Sequence, residues 1–497
     1  MRKNDTCKNL KFEDCELAIL RQAVDTAEEK QGKIAANSPE VKRIIGIVEN
    51  FIRQKQLICY GGTAINNILP KQDQFYNTDV EIPDYDFYSS NALTDAKELV
   101  DTYIKEGFVE VEAKSGQHHG TYKVFVNFIP VADITSLPKE LFNAIKKEAI
   151  RVAGMYYAPP NLLRMSMYLE LSRPEGDVSR WEKVLKRLTL LNRNYPLTAH
   201  QCSHIDFQRK LSSTDTYTNI ILSENEGKGI SHRDKNYSKG RSKSEDIYET
   251  VKSTLMDQGV VFFGGYAVSL YSQYMPKHLR KQLEKIPDFD VLAEDPLIVA
   301  QIVKERLQDI NIKDVKIIKR PAVGEIIAPH YEIRVGKDVV SFIYEPIACH
   351  SYNVLKQQGY NIKVATIDTM LSFYLAFLYA NRPYYDKDRI LCMSKYLFEV
   401  QGKNRLQQKG LLKRFSVNCM GHQETVEQMR AEKTTKFAEL KDKKGTTEYD
   451  EWFLRYRPLD ENEKNTKKRN KTNKKMVNRK KMVNRRKTVK RKGFFGY

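Results

Sequence analysis

No stretch of the sequence approaches the roughly 20 consecutive apolar residues that a membrane-spanning helix needs. Its best apolar candidate, MLSFYLAFLYA at 370–380, reads as a buried helix. The opening residues, MRKNDTCKNLKFEDCE, contain no apolar core of the kind a secretion signal carries, so export is not expected. Cys-x-x-Cys never occurs. The seven cysteines, at 7, 15, 59, 202, 349, 392 and 419, are odd in number and scattered, which predicts free thiols in a reducing compartment. His200, Cys202 and His204 sit close together in HQCSH, but neither a fourth ligand nor a paired knuckle accompanies them, so no zinc site is expected there. Acids are missing from one segment altogether. Between Lys464 and Lys492 there are 16 Lys and Arg and no Asp or Glu. Subtracting those 16 from the chain's formal +20 leaves the remainder at only +4, so the basic charge is concentrated in an appendage.

What is present is a chain of 497 residues, 41% hydrophobic and 29% charged, long enough for two or three domains with cores of their own. Residues 1–45 read as a charged helical leader. A first α/β block spans 46–222. Residues 223–246, SENEGKGISHRDKNYSKGRSKSED, are nearly devoid of apolar side chains and read as a linker or long exposed loop. A second block spans 247–460. The tail, 461–497, repeats KMVNRK as KMVNRR and buries too little to fold alone.

The two blocks say the same thing twice. YGGTAINN (60–67) and IPDYDF (82–87) return as FGGYAVS (263–269) and IPDFDV (286–291). Each Gly-Gly ends a short apolar strand and opens an apolar helix. In each block the acidic phrase follows about twenty residues later, then an amphipathic helix (Leu93, Ala96, Leu99, Val100, Tyr103, Ile104 and Phe108 at helical spacing in the first), a strand pair, and a helix carrying Tyr-Leu before Arg-Pro. This predicts duplication of a unit of roughly 150 residues.

In the first block the pattern predicts a strand on which Asp84 and Asp86 lie at i and i+2 and so share one face. Two carboxylates on one face repel unless a cation sits between them, and hard oxygen ligands suit Mg²⁺ or Mn²⁺. Asp133 interrupts an otherwise apolar strand, VFVNFIPVADIT, where an unpaired carboxylate costs several kcal/mol. Gly61 and Gly62, at a helix start, let a backbone approach phosphate oxygens, and Thr63 adds a hydroxyl. Together these residues describe a phosphoryl- or nucleotidyl-transfer site with two metals. The plainer reading makes Asp84 and Asp86 a turn cap after Pro83, and Asp133 a cap for the helix near SLPKELFNAI.

YGGTAINNILP, IPDYDFYS, VADITSLP and YLELSRPEGDVSRWEKVLKRLTLLN resemble the poly(A) polymerase catalytic subunits of large cytoplasmic DNA viruses, above all giant-virus ones, within the polymerase β-like nucleotidyltransferase superfamily. The resemblance covers most of residues 45–400. It implies two tandem nucleotidyltransferase-like α/β domains, each a mixed sheet with flanking helices, followed by a disordered basic tail. It also implies a metal-dependent, template-independent transferase that adds AMP from ATP to RNA 3′ ends. It makes Asp84, Asp86 and Asp133 the catalytic, metal-binding triad. Gly61, Gly62 and Thr63 become the nucleotide-binding loop, and Arg180 and Lys183 become triphosphate candidates beside Arg164 and Arg187; Tyr156 and Tyr157 are candidates for base stacking. The implied partners are single-stranded RNA 3′ ends and ATP, with a homodimer or a viral processivity or capping subunit in addition. The implied setting is host cytoplasm or the virion. One departure stands out: 21 residues separate Gly62 from Asp84 where the superfamily has about a dozen, which points to a longer helix or an inserted loop.

The second block keeps Gly264, Gly265, Asp288 and Asp290 but has Tyr266 in place of Thr63. Its only acid near the third-carboxylate strand is Glu345, in VVSFIYEPIACHSY. That predicts a decayed copy, retained for structure and RNA contact, unless Glu345 substitutes. Against the polymerase stand two alternatives: another RNA nucleotidyltransferase on the same fold, or a non-catalytic RNA-binding scaffold. The tail reads as a salt-sensitive RNA tether or as a targeting signal.

Overall fold

The structure is a computed structural model that describes residues 7, 10–77, 79–200, 202, 243–275, 288–357 and 359–459. Most of the 223–246 segment and the whole 461–497 tail lie outside them.

Along the first half run α1 (Phe12–Ala36), α2 (Pro39–Lys55), β1 (Ile58–Cys59), α3 (Gly61–Ile68), β2 (Tyr85–Ser89), α4 (Ala92–Lys105), β3 (Val111–Ser115), β4 (Thr121–Val126), β5 (Ile129–Ser136), α5 (Lys139–Glu148), β6 (Ile150–Val152), β7 (Met155–Tyr157), α6 (Pro160–Leu171) and α7 (Trp181–Asn194). The second half holds α8 (Lys243–Asp257), β8 (Val261–Phe262), α9 (Gly265–Tyr271), β9 (Phe289–Leu292), α10 (Pro296–Asp309), β10 (Val315–Arg320), β11 (His330–Val335), β12 (Asp338–Tyr344), β13 (His350–Gln357), β14 (Tyr360–Ala365) and α11 (Ile367–Phe377). It closes with α12 (Lys387–Asn404), β15 (Cys419–Met420), α13 (Val426–Leu440), α14 (Thr447–Phe453) and β16 (Arg455–Tyr456). Among the described residues no helix is long and apolar enough to cross a membrane.

By packing, the chain forms two compact units that interleave its sequence. One comprises Met1–Leu57, Tyr76–Ser136 and Arg430–Tyr497; the other comprises Ile58–Phe75 and Leu137–Met429.

In the first unit five strands run in the order β16-β3-β4-β5-β2. β2 and β5 are parallel, and the pairs β5–β4, β4–β3 and β3–β16 are antiparallel. Helix α2 starts at Ser38-Pro39, a favoured first-turn proline, and buries Val41, Ile44, Val48, Phe51 and Ile52 along one stripe. Helix α4 buries Ala96, Leu99, Val100 and Tyr103 of the predicted stripe, with Ala92 beside them; Leu93 and Ile104 are half-buried, and Phe108 lies beyond the helix end. The Tyr103 hydroxyl donates to the Ile44 carbonyl at 2.8 Å, tying the two helices together.

The second unit holds β1-β7-β6 and a sheet ordered β10-β11-β12-β9-β8-β14-β13-β15. Its core helix α11 is buried along its whole length. Helices α6 and α11 pack on each other, and these carry the two Tyr-Leu phrases.

Strand pairing makes the duplication explicit. β3-β4-β5-β2 is joined antiparallel, antiparallel, parallel, and β10-β11-β12-β9 repeats that order and those senses. β1-β7-β6 is joined parallel then antiparallel, and so is β8-β14-β13. The crossover helices match too: α4 and α10 each have 14 residues. The chain is a mixed α/β fold built from two copies of one unit.

The cysteine expectation is corrected. Cys7–Cys15, Cys202–Cys392 and Cys349–Cys419 pair as disulfides, and Cys59, which is buried, is the cysteine outside them. Separations of 190 and 70 residues are invisible to spacing rules, because it is the fold that brings those pairs together.

Candidate active site

Asp84 lies just before β2 and Asp86 within it, so both point to the face opposite Tyr85. Tyr85 is buried and donates to Glu49 Oε1 at 2.6 Å, which fixes the strand's roll and commits the two acids to the other side. On the neighbouring parallel strand Asp133 sits directly opposite Asp86. On β4, Lys123 sits opposite Asp133, and its ammonium donates to Asp133 Oδ2. Asp133 Oδ1 is buried, with no hydrogen-bond partner among the described residues. The apolar neighbours Val131, Ala132 and Ile134 supply the low-dielectric floor.

The electrostatics agree with the geometry. Asp84 ionises above the usual aspartate range, first because surrounding protein displaces water from its carboxyl and second because of the Asp133 charge; Lys123 opposes both. Asp84 is nevertheless an exposed residue, so solvent screens much of that penalty. One lysine, bonded to Asp133 and felt by Asp84, therefore answers three carboxylates, which leaves an excess of negative charge and a buried Asp133 oxygen with no hydrogen-bond partner among the described residues. A hard divalent cation fits that donor set, and Asp84, Asp86 and Asp133 are the residues that could hold it.

A test of sign follows. A carboxyl whose folded pKa is raised withdraws stability as pH climbs through its unfolded and then its folded pKa. Asp84→Asn is therefore expected to raise the melting temperature at pH 7 by about 1–2 °C without added metal, and to leave it unchanged at pH 3. Scanning calorimetry at the two pH values checks this, and equal shifts would refute it.

Gly61, Gly62 and Thr63 open α3 in the other compact unit. Gly61 has φ +70°, a left-handed backbone that glycine adopts without strain. Thr63 is buried. The long spacing to Asp84 comes from an inserted loop rather than a longer helix: α3 ends at Ile68 and a short 3-10 turn follows at Lys71–Asp73. Asn66 Oδ1 accepts from the Phe75 amide at 2.8 Å, and Asn194 donates to Asp73 at 2.7 Å, so the loop is pinned.

The other charged candidates fall into two groups. Arg180 is exposed and pairs with Glu170 at 3.2 Å, and Lys183 is exposed on α7. Arg164 is only 1% exposed and is spent inside the fold, where it donates to Asn161, Asn192 and the Tyr195 carbonyl. It is a core pin and not a triphosphate ligand. Arg187 lies over the Phe75 ring at 4.7 Å. Tyr157 is buried, its hydroxyl accepting from Asn67, while Tyr156 is half-buried beneath Lys146 and Arg151.

The second copy shows what the site has lost. Asp288 and Asp290 remain and are buried. The residue opposite Asp290 on β12 is Phe342, in the place Asp133 takes opposite Asp86. Glu345 lies beyond the end of that strand and is exposed, so it does not supply the third carboxylate. Gly264 has φ −84° where Gly61 has +70°. A Cβ on Gly264 would come within 2.5 Å of Asp290 Cβ, so the aspartate has closed onto the turn. Tyr266 fills the space by packing against Phe262 and Phe289. Sequence reasoning missed Phe342 because Glu345 was the nearest acid; counting by twos along the strand from the Asp290 register would have found it.

The site is thus a paired acidic strand beside a parallel strand with a third carboxylate, on a mixed sheet. Residues 46–177 match the family model described as poly(A) polymerase catalytic subunit. Over 176 residues the chain is 31% identical to a poly(A) polymerase catalytic subunit of Acanthamoeba polyphaga mimivirus, a match covering 35% of this chain and 28% of that one. It is 32% identical over 171 residues to the protein of the same name from African swine fever virus, covering 33% of this chain and 36% of that one. The matched segment thus spans about a third of the length of these relatives. The fold is that of the crystal structure of the Megavirus polyadenylate synthase, with TM-score 0.67, 18% identity, and coverage of 88% of this chain and 86% of that one. The resemblance to viral poly(A) polymerase catalytic subunits stands on both sequence and fold.

Proposed function

We propose that the chain is a viral polynucleotide adenylyltransferase that extends RNA 3′ ends with AMP from ATP, without a template. The observation carrying this reading is the register of Asp86 against Asp133 with Asp133 Oδ1 unpartnered. In the reaction the RNA 3′-oxygen bonds to the α-phosphorus of ATP, the bond from that phosphorus to the bridging oxygen breaks, and pyrophosphate leaves with the electron pair. The hydroxyl proton passes to solvent or a carboxylate. Mg²⁺ or Mn²⁺, when bound, lowers the pKa of the attacking hydroxyl and neutralises the leaving group. Asp84, Asp86 and Asp133 would hold it, and all three must be ionised to do so. Lys123 orients Asp133 through the hydrogen bond to Oδ2 before metal arrives. The reading gives phosphate oxygens to Gly61, Gly62 and Thr63, with Arg180 and Lys183 as further cationic contacts. RNA and ATP are the substrates, and the host cytoplasm or virion is the setting. A second copy or a viral processivity or capping subunit is a candidate partner, and the basic tail is a candidate RNA tether.

Primer extension on a labelled single-stranded RNA tests this, with each of the four nucleotides offered separately and Mg²⁺ or Mn²⁺ present. Long products from ATP alone, preserved in Asp290→Asn, are expected. Extension equally good with all four nucleotides would favour another transferase, and none with any would sink the enzymatic reading.

A further inference from the structure

We propose that the face of the second sheet corresponding to the catalytic face of the first binds the phosphates of single-stranded RNA. This rests on the reading of RNA as the substrate. In the first copy that face presents Asp133 and Lys123 side by side. In the second, the register puts Phe342 and Glu332 in their places. At these two positions a carboxylate and an ammonium give way to a phenyl ring and a carboxylate, and the cations that answer the carboxylate come from two flanking arginines. Glu332 is fully buried, and it accepts from Arg320 Nε at 2.7 Å and Arg320 Nη2 at 2.6 Å on one oxygen, and from Arg334 Nε on the other. One carboxylate thus holds two guanidinia.

The two arginines are neither swallowed nor loose. Their side chains are 31% and 35% exposed. Among the described residues, the contacts of Arg334 engage its Nε and those of Arg320 leave Nη1 unengaged, so N–H edges face solvent while the inner edges are clamped. A guanidinium fixed this way loses little rotamer freedom on meeting a phosphate. Lys316 lies opposite Arg334 on β10 with 66% of its side chain exposed and only the exposed Asp314 at 3.5 Å nearby. The cluster carries three cations against two acids, the buried Glu332 and the exposed Asp314, a net +1, with the buried Asp290 opposite Phe342 further across the face. Beside it the half-buried ring of Tyr384 lies 5.9 Å under Arg320 and 5.0 Å from Phe342. Clamped guanidinia next to an aromatic ring suit a single strand, whose phosphates meet the charges and whose base meets the ring. Stability alone does not account for the cluster: a buried ion pair is roughly neutral against apolar packing, and the excess positive charge needs no exposure to fill a core.

The test uses the full chain and a fluorescein-labelled single-stranded RNA 20-mer in anisotropy titrations at 50, 100 and 200 mM KCl. The variants are Lys316→Glu, the double Arg320→Lys/Arg334→Lys, and the triple Arg320→Gln/Glu332→Gln/Arg334→Gln, which leaves no member of the clamp charged. Affinity is expected to fall by about 5–10-fold in the triple variant. The salt slope should drop by about 1.4, the loss of two phosphate contacts. Lys316→Glu lies on the surface and folds whatever the triple variant does; it should weaken binding by about 3-fold or more. Extension at saturating RNA should stay near wild type. Affinity and slope unchanged in Lys316→Glu and in whichever arginine variants melt like wild type would overturn the proposal. Binding lost in these variants while the wild type fails to extend would keep this site and discard the polymerase reading. A wild type that binds no RNA at all would discard both.

Discussion

An Asp133→Asn protein should bind RNA as the wild type does and extend it about 10²–10³-fold more slowly. The substitution keeps the shape of the side chain and removes only the charge, so the loss measures what the carboxylate does. A metal ion is worth several kcal/mol of transition-state charge stabilisation, and each 1.36 kcal/mol is tenfold in rate. Asp133 is the right residue to change because it stands opposite Asp86 and its Oδ1 is unpartnered. The protein should not unfold. Asp133 also repels Asp84, and removing that repulsion offsets the loss of its bond to Lys123. Single-turnover extension, with calorimetry on the same sample, separates the two effects. A rate within threefold of wild type would mean that Asp133 is structural and that the capping interpretation of the acidic pair was right.

Asp368→Leu should be the most damaging single change to stability, at about 3–5 kcal/mol. Asp368 is buried in the first turn of α11, and Arg414 grips it through Nε and Nη2 at 2.8–3.0 Å. Gln401 donates to it at 2.9 Å. Leucine would leave the Arg414 guanidinium, itself only 14% exposed, without an anion. That cost corresponds to a melting temperature lower by about 10 °C. Adding Arg414→Leu should recover much of it, because the buried charge then has nothing left to leave unpaired. A double variant no more stable than the single would show that the penalty is steric and unrelated to charge.

The acidic pair and the lone Asp133 were legible because their chemistry contradicts their surroundings: carboxylates cost energy on an apolar strand unless something compensates. The duplication was legible because whole phrases recur at matching spacing, and the repeated strand senses follow from it. Three things were not legible. The role of Arg164 depends on Asn161, one turn before it on the same helix, and on Asn192 and the carbonyl of Tyr195, which the last turn of α7 and the residue beyond it bring near. The cysteine pairs depend on contacts across as many as 190 residues. The Arg320–Glu332–Arg334 clamp reads in sequence as ordinary alternating strand charge; burial of Glu332 alone reveals it.

At Gly61 the backbone is held at φ +70°, while at Gly264 it lies at −84° and Asp290 occupies the space a side chain would need. Tyr266→Thr and Phe342→Asp would give the second copy the letters of the first without its shape, because the turn at Gly264 must also change hand and Asp290 must swing out of the way. Two substitutions would thus need two conformational moves beside them.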